Sequence, residues 1–162
     1  VKRLKNKIPY VCGPLTELPA RTQQRVKDFY VSIADICKET IGKRAFVPHE
    51  NFDPIRHENF SPRNVDKKER KQIYDRTSLL IIVAITPSWG GGIEVEMANR
   101  SHVPAVLLYK KGKKISRLLR GNPSIKHTII YQTPNGALRE LRKFLGNLKT
   151  LGELINFYWV NR

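Results

Sequence analysis

The sequence predicts a doubly wound α/β domain, a sheet of about five mainly parallel strands with helices on both faces. Three observations carry this reading. Residues 79–85 (LLIIVAI) are an unbroken apolar run, rich in β-branched side chains and bounded by Pro87. That is the pattern of a strand buried on both faces of a parallel sheet. A glycine triplet, Gly90, Gly91 and Gly92, and a segment of helical character follow at once. Elsewhere short apolar runs alternate with helix-period segments, the order that crossover connections between parallel strands require.

The elements follow in turn. Residues 8–13 (IPYVCG) read as a first strand ending in a Gly-Pro turn. Residues 20–40 carry apolar side chains at Val26, Phe29, Tyr30, Ile33, Ile36 and Cys37, a helical period that Gly42 ends. Residues 44–47 (RAFV) predict a second strand. Residues 48–62 form a polar loop of functional length, holding His49, Glu50, Asp53, His57 and Glu58 in a spacing that fits no metal template. Ser61 and Pro62 open a helix that runs to about Arg76, since proline suits the first helical position. Beyond the central strand, residues 103–109 (VPAVLLY) and 128–131 (TIIY) predict two further strands. Between them lies a basic connection, residues 110–120, with Lys110, Lys111, Lys113, Lys114, Arg117 and Arg120. Residues 135–148 make an amphipathic helix. An aromatic tail, residues 150–162, carries Phe157, Tyr158 and Trp159.

At 162 residues and 40% hydrophobic the chain suffices for one domain, preceded by a basic extension at residues 1–7. No apolar run is long enough to span a membrane, and none follows the basic start to make a signal peptide, so a cytoplasmic protein is expected. Cys12 and Cys37 offer neither metal spacing nor a disulfide framework, and Cys12 reads as a buried small residue rather than a nucleophile. The formal charge of +16 suits a phosphorylated substrate or a polyanion. Basic runs are interrupted by acids and no nucleic-acid motif is present, so nucleic acid is not the favoured partner.

The chemistry concentrates in residues 79–98. A strand, a glycine-rich turn and a helix start make the place where an α/β protein puts its ligand. Backbone N–H groups there approach a substrate closely, and a carboxylate in the first helical turn, Glu94, is expected to be held ionised by the same helix end. Glu96, two residues on, points to another helix face and reads as a surface or salt-bridged residue.

The pattern Tyr10-x-Cys12-Gly13-Pro14, then Ser61-Pro62, then Pro87-Ser88-x-Gly90-x-Gly92-x-Glu94 resembles the nucleoside 2-deoxyribosyltransferase superfamily. That superfamily includes N-glycosidases of (2′-deoxy)nucleoside 5′-monophosphates. The likeness spans roughly residues 8–145. It implies a Rossmann-like or flavodoxin-like fold, a nucleotide or nucleoside substrate, no metal and no organic cofactor. It places the glutamate nucleophile on Glu94. Tyr10, at the end of the first strand, reads equally as a contact to the sugar or the nucleophile and as a packed strand-end aromatic. Gly13, Pro14, Ser88, Gly90 and Gly92 fall among the substrate-binding positions. Family members carry an aspartate on the helix before the central strand. Glu69 stands there in this chain, with Asp66 one turn earlier as its competitor.

Transferases of free nucleosides have an aspartate where Ser88 stands, whereas the monophosphate hydrolases have serine. The hydrolases also have a serine in a segment like residues 115–121, reaching the phosphate in a neighbouring subunit. Ser116 takes that place and implies a homodimer or larger homo-oligomer. The loop Gly13-Pro14-Leu15-Thr16 departs from the hydrolases, which carry serine and arginine there, and follows the transferase form. The expected activity is hydrolysis of the N-glycosidic bond of a (deoxy)nucleoside 5′-monophosphate through an ester on Glu94. Base exchange by a deoxyribosyltransferase, and a non-catalytic nucleotide- or nucleic-acid-binding module, are the alternatives.

Overall fold

The computed structural model describes residues 6–53 and 59–148. The expectations for His57, Glu58, most of the basic extension and the aromatic tail fall outside those residues. Four strands, β1 (Ile8–Cys12), β2 (Thr77–Val83), β3 (Ala105–Lys110) and β4 (Ile125–Tyr131), pair in that order, all parallel. They are joined by α1 (Ala20–Ile41), a single turn α2 (Pro48–Phe52), α3 (Pro62–Arg76), α4 (Trp89–Arg100), a short α5 (Arg117–Arg120) and α6 (Pro134–Asn147).

Every residue of β2 is buried, as its continuous apolar run requires. Leu79, Ile81 and Val83 face a core built with Phe29, Ile33 and Cys37 of α1 and Ala137, Leu141 and Leu145 of α6. Leu80 and Ile82 face the opposite core with Ile73 of α3 and Val95, Met97 and Ala98 of α4. Helices on both faces make the sheet doubly wound. The same alternation puts Tyr10 and Cys12 of β1 on the α3/α4 side and Val11 on the other.

Two expectations need correction. The strand expected at residues 44–47 is reduced to one parallel bridge, Tyr10 to Phe46. Val11 N–H donates to the Phe46 carbonyl at 2.9 Å, and Phe46 N–H to the Pro9 carbonyl at 2.8 Å. Pro48 then starts α2, so the ladder ends after one rung, because a proline at the first helical position turns the chain away. The sheet therefore has four strands rather than five. With that bridge counted as a rudimentary second strand, the order is 2-1-3-4-5, the flavodoxin-type arrangement. The glycine triplet is the second correction. It lies not in a turn but inside the first turn of α4, whose N-cap is Ser88. Glycine's poor helix propensity hides a helix that a cap and tertiary packing sustain.

Candidate active site

In an open parallel sheet, ligands bind beyond the carboxyl ends of the strands, where the connections diverge to opposite faces. In this chain that place is the end of β1 and β2. From β1 the chain passes Gly13 to α1 on one face, and from β2 it passes Ser88 to α4 on the other. A cavity of about 620 Å³ opens there, lined by Gly13, Glu17, His49, Glu69, Ser88 and Glu94 among others.

Glu94 is fixed by three elements. It lies in the second turn of α4, which packs close to β2 because Gly91 stands over Ile82: a Cβ at Gly91 would meet the Ile82 Cδ1 at 3.3 Å. From β1, the Tyr10 hydroxyl donates to Glu94 Oε1 at 2.5 Å in a buried contact. The Cys12 thiol, two residues on and so on the same strand face, favours the ionised form of the same carboxyl. Glu94 is 7% exposed. Burial and the nearby Glu69 push its pKa up to about 8, and the Tyr10 hydroxyl and Cys12 thiol pull back towards the ionised form. The Tyr10 hydroxyl is itself driven well above its ordinary value, chiefly by burial and then by Glu94, so it remains a donor.

Glu69 reaches the cavity from α3. It is half-buried, and burial, then the charge of Asp66, push its pKa up to about 7. Asp66 also lines the cavity, but its carboxylate is exposed and taken by Arg70 at 2.9 Å. Glu94 and Glu69 thus titrate as a pair near neutral pH and share one proton there, resting mostly on Glu94, the more raised of the two; the form with Glu94 ionised and Glu69 protonated is the reactive minor one.

The start of α4 forms another wall. Ser88 Oγ accepts from Gly91 N–H at 3.3 Å and donates to Glu17 Oε1 at 3.1 Å. At Gly92 a Cβ would meet nothing within 4 Å, and at Gly90 only Ser88 Oγ at that limit. Core packing therefore does not demand glycine at either position, and the missing side chains leave the helix end open. Aromatic rings build the opposite side. Tyr10 stacks on Phe46 with centroids 5.4 Å apart, Phe46 meets Phe52 at 6.0 Å, and Phe52 meets Phe60 at 5.8 Å. Lys68 sits over the Phe60 ring at 4.0 Å. Asp53, 3% exposed, ion-pairs with Lys27 of α1 and anchors the end of α2.

Of the residues singled out in the sequence, Tyr10, Gly13, Glu69, Ser88, Gly90 and Glu94 meet at this cavity. Pro14, Gly92 and Ser116 line an adjoining cavity of about 830 Å³, which shares Ser88 and Gly91 with the first and also holds Lys113 and Lys114. Ser116 is there the N-cap of α5, accepting from Leu119 N–H at 3.4 Å. Glu96 is exposed and ion-paired with Arg100 at 3.2 Å, in agreement with its surface reading. Three participants escaped the sequence. The Cys12 contact was available in principle from its two-residue offset to Tyr10. Glu17 and His49 come from loop and single-turn segments that carry no periodic signal.

Among the described residues no group of three or more His, Cys, Asp or Glu side chains could hold a metal ion, and no helix is long and apolar enough to cross a membrane.

This assembly defines a class: a flavodoxin-type α/β domain with a buried, hydrogen-bonded glutamate at the switch point of its sheet. Among solved structures, the CMP N-glycosidase BcmB of Clostridium botulinum matches it with a TM-score of 0.60 and 20% sequence identity. The match covers 85% of this chain and 99% of that one. The domain therefore has the fold of a nucleotide N-glycosidase. No protein-family model matches the chain, and no curated protein matches it in sequence.

Proposed function

We propose that the protein cleaves the N-glycosidic bond of a nucleoside or nucleoside 5′-monophosphate through a covalent ester on Glu94. The observation that carries this is the Tyr10–Glu94 hydrogen bond inside a cavity that also presents Glu69. In the form of the pair with Glu94 ionised and Glu69 protonated, a carboxylate held by the Tyr10 hydroxyl and screened from solvent is the nucleophile, and the second carboxyl is the acid. The likeness in fold to a CMP N-glycosidase supports the substrate class.

A Glu94 carboxylate oxygen bonds to C1′ of the sugar while the C1′–N bond breaks. The bonding pair leaves with the base nitrogen, which takes a proton from the Glu69 carboxyl. The Tyr10 hydroxyl keeps the carboxylate oriented but does not have to give up its proton. Water then attacks C1′, Glu69 takes the proton, and the ester opens to restore Glu94 and release the sugar. Two carboxyls sharing one proton are sufficient for both halves. The rings of Phe52 and Phe60 form the wall on which a base would stack, on the side of Glu69.

The test is chromatography of free base released from a panel of ribo- and deoxynucleosides and their 5′-monophosphates, with wild type beside Glu94→Ala. The reading requires release by wild type and loss of release in the variant. Release that persists in Glu94→Ala would overturn it. Base exchange in place of hydrolysis would appear in the same assay as a new nucleoside when an acceptor base is added.

A further inference from the structure

The net charge of the chain and the charge of its cavity have opposite signs. Lysine and arginine number 30 against 14 aspartates and glutamates. Yet the lining of the Glu94 cavity includes four carboxyl side chains, Glu17, Asp66, Glu69 and Glu94, and no lysine or arginine among the described residues. Three described lysines of neighbouring segments are placed otherwise. Lys68 is engaged over Phe60 and Phe52, and Lys113 and Lys114 line the adjoining cavity.

The position of Glu17 gives this a consequence. If the sugar's C1′ meets Glu94 and the base lies against Phe52 and Phe60 beside Glu69, the 5′ end of the sugar points to the start of α4. That is where a helix favours an anion. In this chain an anion of its own is already there: Glu17 Oε1 accepts from the Ser88 hydroxyl at 3.1 Å. A carboxylate can accept a hydrogen bond from a 5′-hydroxyl, but it repels a phosphate dianion.

We propose that Glu17 is a specificity-determining residue: its carboxylate, held by Ser88 at the mouth of the cavity, receives the free 5′-hydroxyl of a nucleoside and excludes a 5′-phosphate. The proposal rests on the Glu94 reading for the orientation of the sugar. It predicts that the enzyme prefers nucleosides to their monophosphates, although the chain as a whole is strongly basic.

Glu17→Gln removes the charge and keeps an oxygen that accepts from Ser88. Two measurements decide the matter. Inorganic phosphate is titrated into wild type and Glu17→Gln while the amide resonances of Gly90, Gly91 and Gly92 are followed. This needs no turnover. The variant is expected to bind phosphate at least about tenfold more tightly, the effect of removing one charge a few ångströms from a partly solvated dianion. Where base release is measured, the ratio of kcat/KM for each monophosphate to its nucleoside should rise at least about tenfold in the variant. Equal phosphate affinity in the two proteins overturns the proposal. So does a wild-type preference for monophosphates that disappears in Lys113→Gln/Lys114→Gln, since the phosphate would then be held by the adjoining cavity. Absence of base release from every substrate would sink the Glu94 reading instead, and the phosphate titration would still decide the role of Glu17.

Discussion

Replacing Glu94 by glutamine should make the protein more stable, and increasingly so as the pH rises. In the folded protein the Glu94 carboxyl has its pKa pushed up to about 8 by burial and by Glu69, against 4.5 for an ordinary glutamate. Below pH 4.5 the group is protonated folded or unfolded and costs nothing electrostatically. Between 4.5 and 8 the folded state holds a proton that the unfolded state has released, so stability falls as the pH rises. Above 8 the loss levels off. The gap of about 3.5 pH units, at 1.36 kcal/mol each, sets an upper limit of about 5 kcal/mol on this penalty. Glutamine is close in shape, still accepts from Tyr10 and carries no charge to desolvate. Urea unfolding followed by far-ultraviolet circular dichroism at pH 5 and pH 8.5 measures the difference. Wild type should lose a few kcal/mol more than Glu94→Gln between the two pH values, any remaining slope in the variant belonging to Glu69 and other groups. Parallel slopes in the two proteins would overturn this, because Glu94 would then ionise at the same pH in the folded and unfolded states.

Three further substitutions test the site. Tyr10→Phe removes a hydrogen bond to a charged acceptor, worth about 1.5–3 kcal/mol, so the acid limb of the pH–rate profile should move up by about one to two pH units. An unchanged limb would mean that the hydroxyl does not hold the ionised form. Glu69→Gln should lower kcat by about 10²–10⁴, as expected for loss of a general acid, while Asp66→Asn, a solvent-screened surface charge, should change it less than about threefold. The reverse ranking would transfer the proton to Asp66. Gly13→Ala should cost about 1–3 kcal/mol in chemical unfolding, since its Cβ would overlap the Tyr30 hydroxyl and the Val83 carbonyl oxygen. A neutral result would show that Tyr30 can withdraw freely from Pro14, whose carbonyl its hydroxyl reaches at 2.7 Å.

What the sequence made legible was whatever rests on period and burial. The run at residues 79–85 could be read as a central strand because every side chain of β2 is buried, and α1, α3 and α6 begin and end close to their predicted bounds. Glu94 was legible because its distance from the strand is fixed by a short connection. Failures came where tertiary geometry overrides local preference. Phe46 forms one rung instead of a strand because Pro48 diverts the chain, and three glycines are helical because Ser88 caps the helix and Ile82 accepts the close approach of Gly91. The charge of the cavity was the least legible feature. A total of +16 suggests an anion site, but only folding shows that, among the described residues, no lysine or arginine lines this cavity and that Glu17 does.

A covalent ester on Glu94 can be caught by peptide mass spectrometry of enzyme quenched during turnover. With a substrate found active in the base-release panel, the peptide containing Glu94 should carry the mass of the sugar, labile to mild base as an ester is. Glu94→Gln should carry none. Steady base release with no adduct on that peptide, together with activity retained in Glu94→Gln, would contradict the account and leave Glu94 a structural carboxyl beneath the substrate.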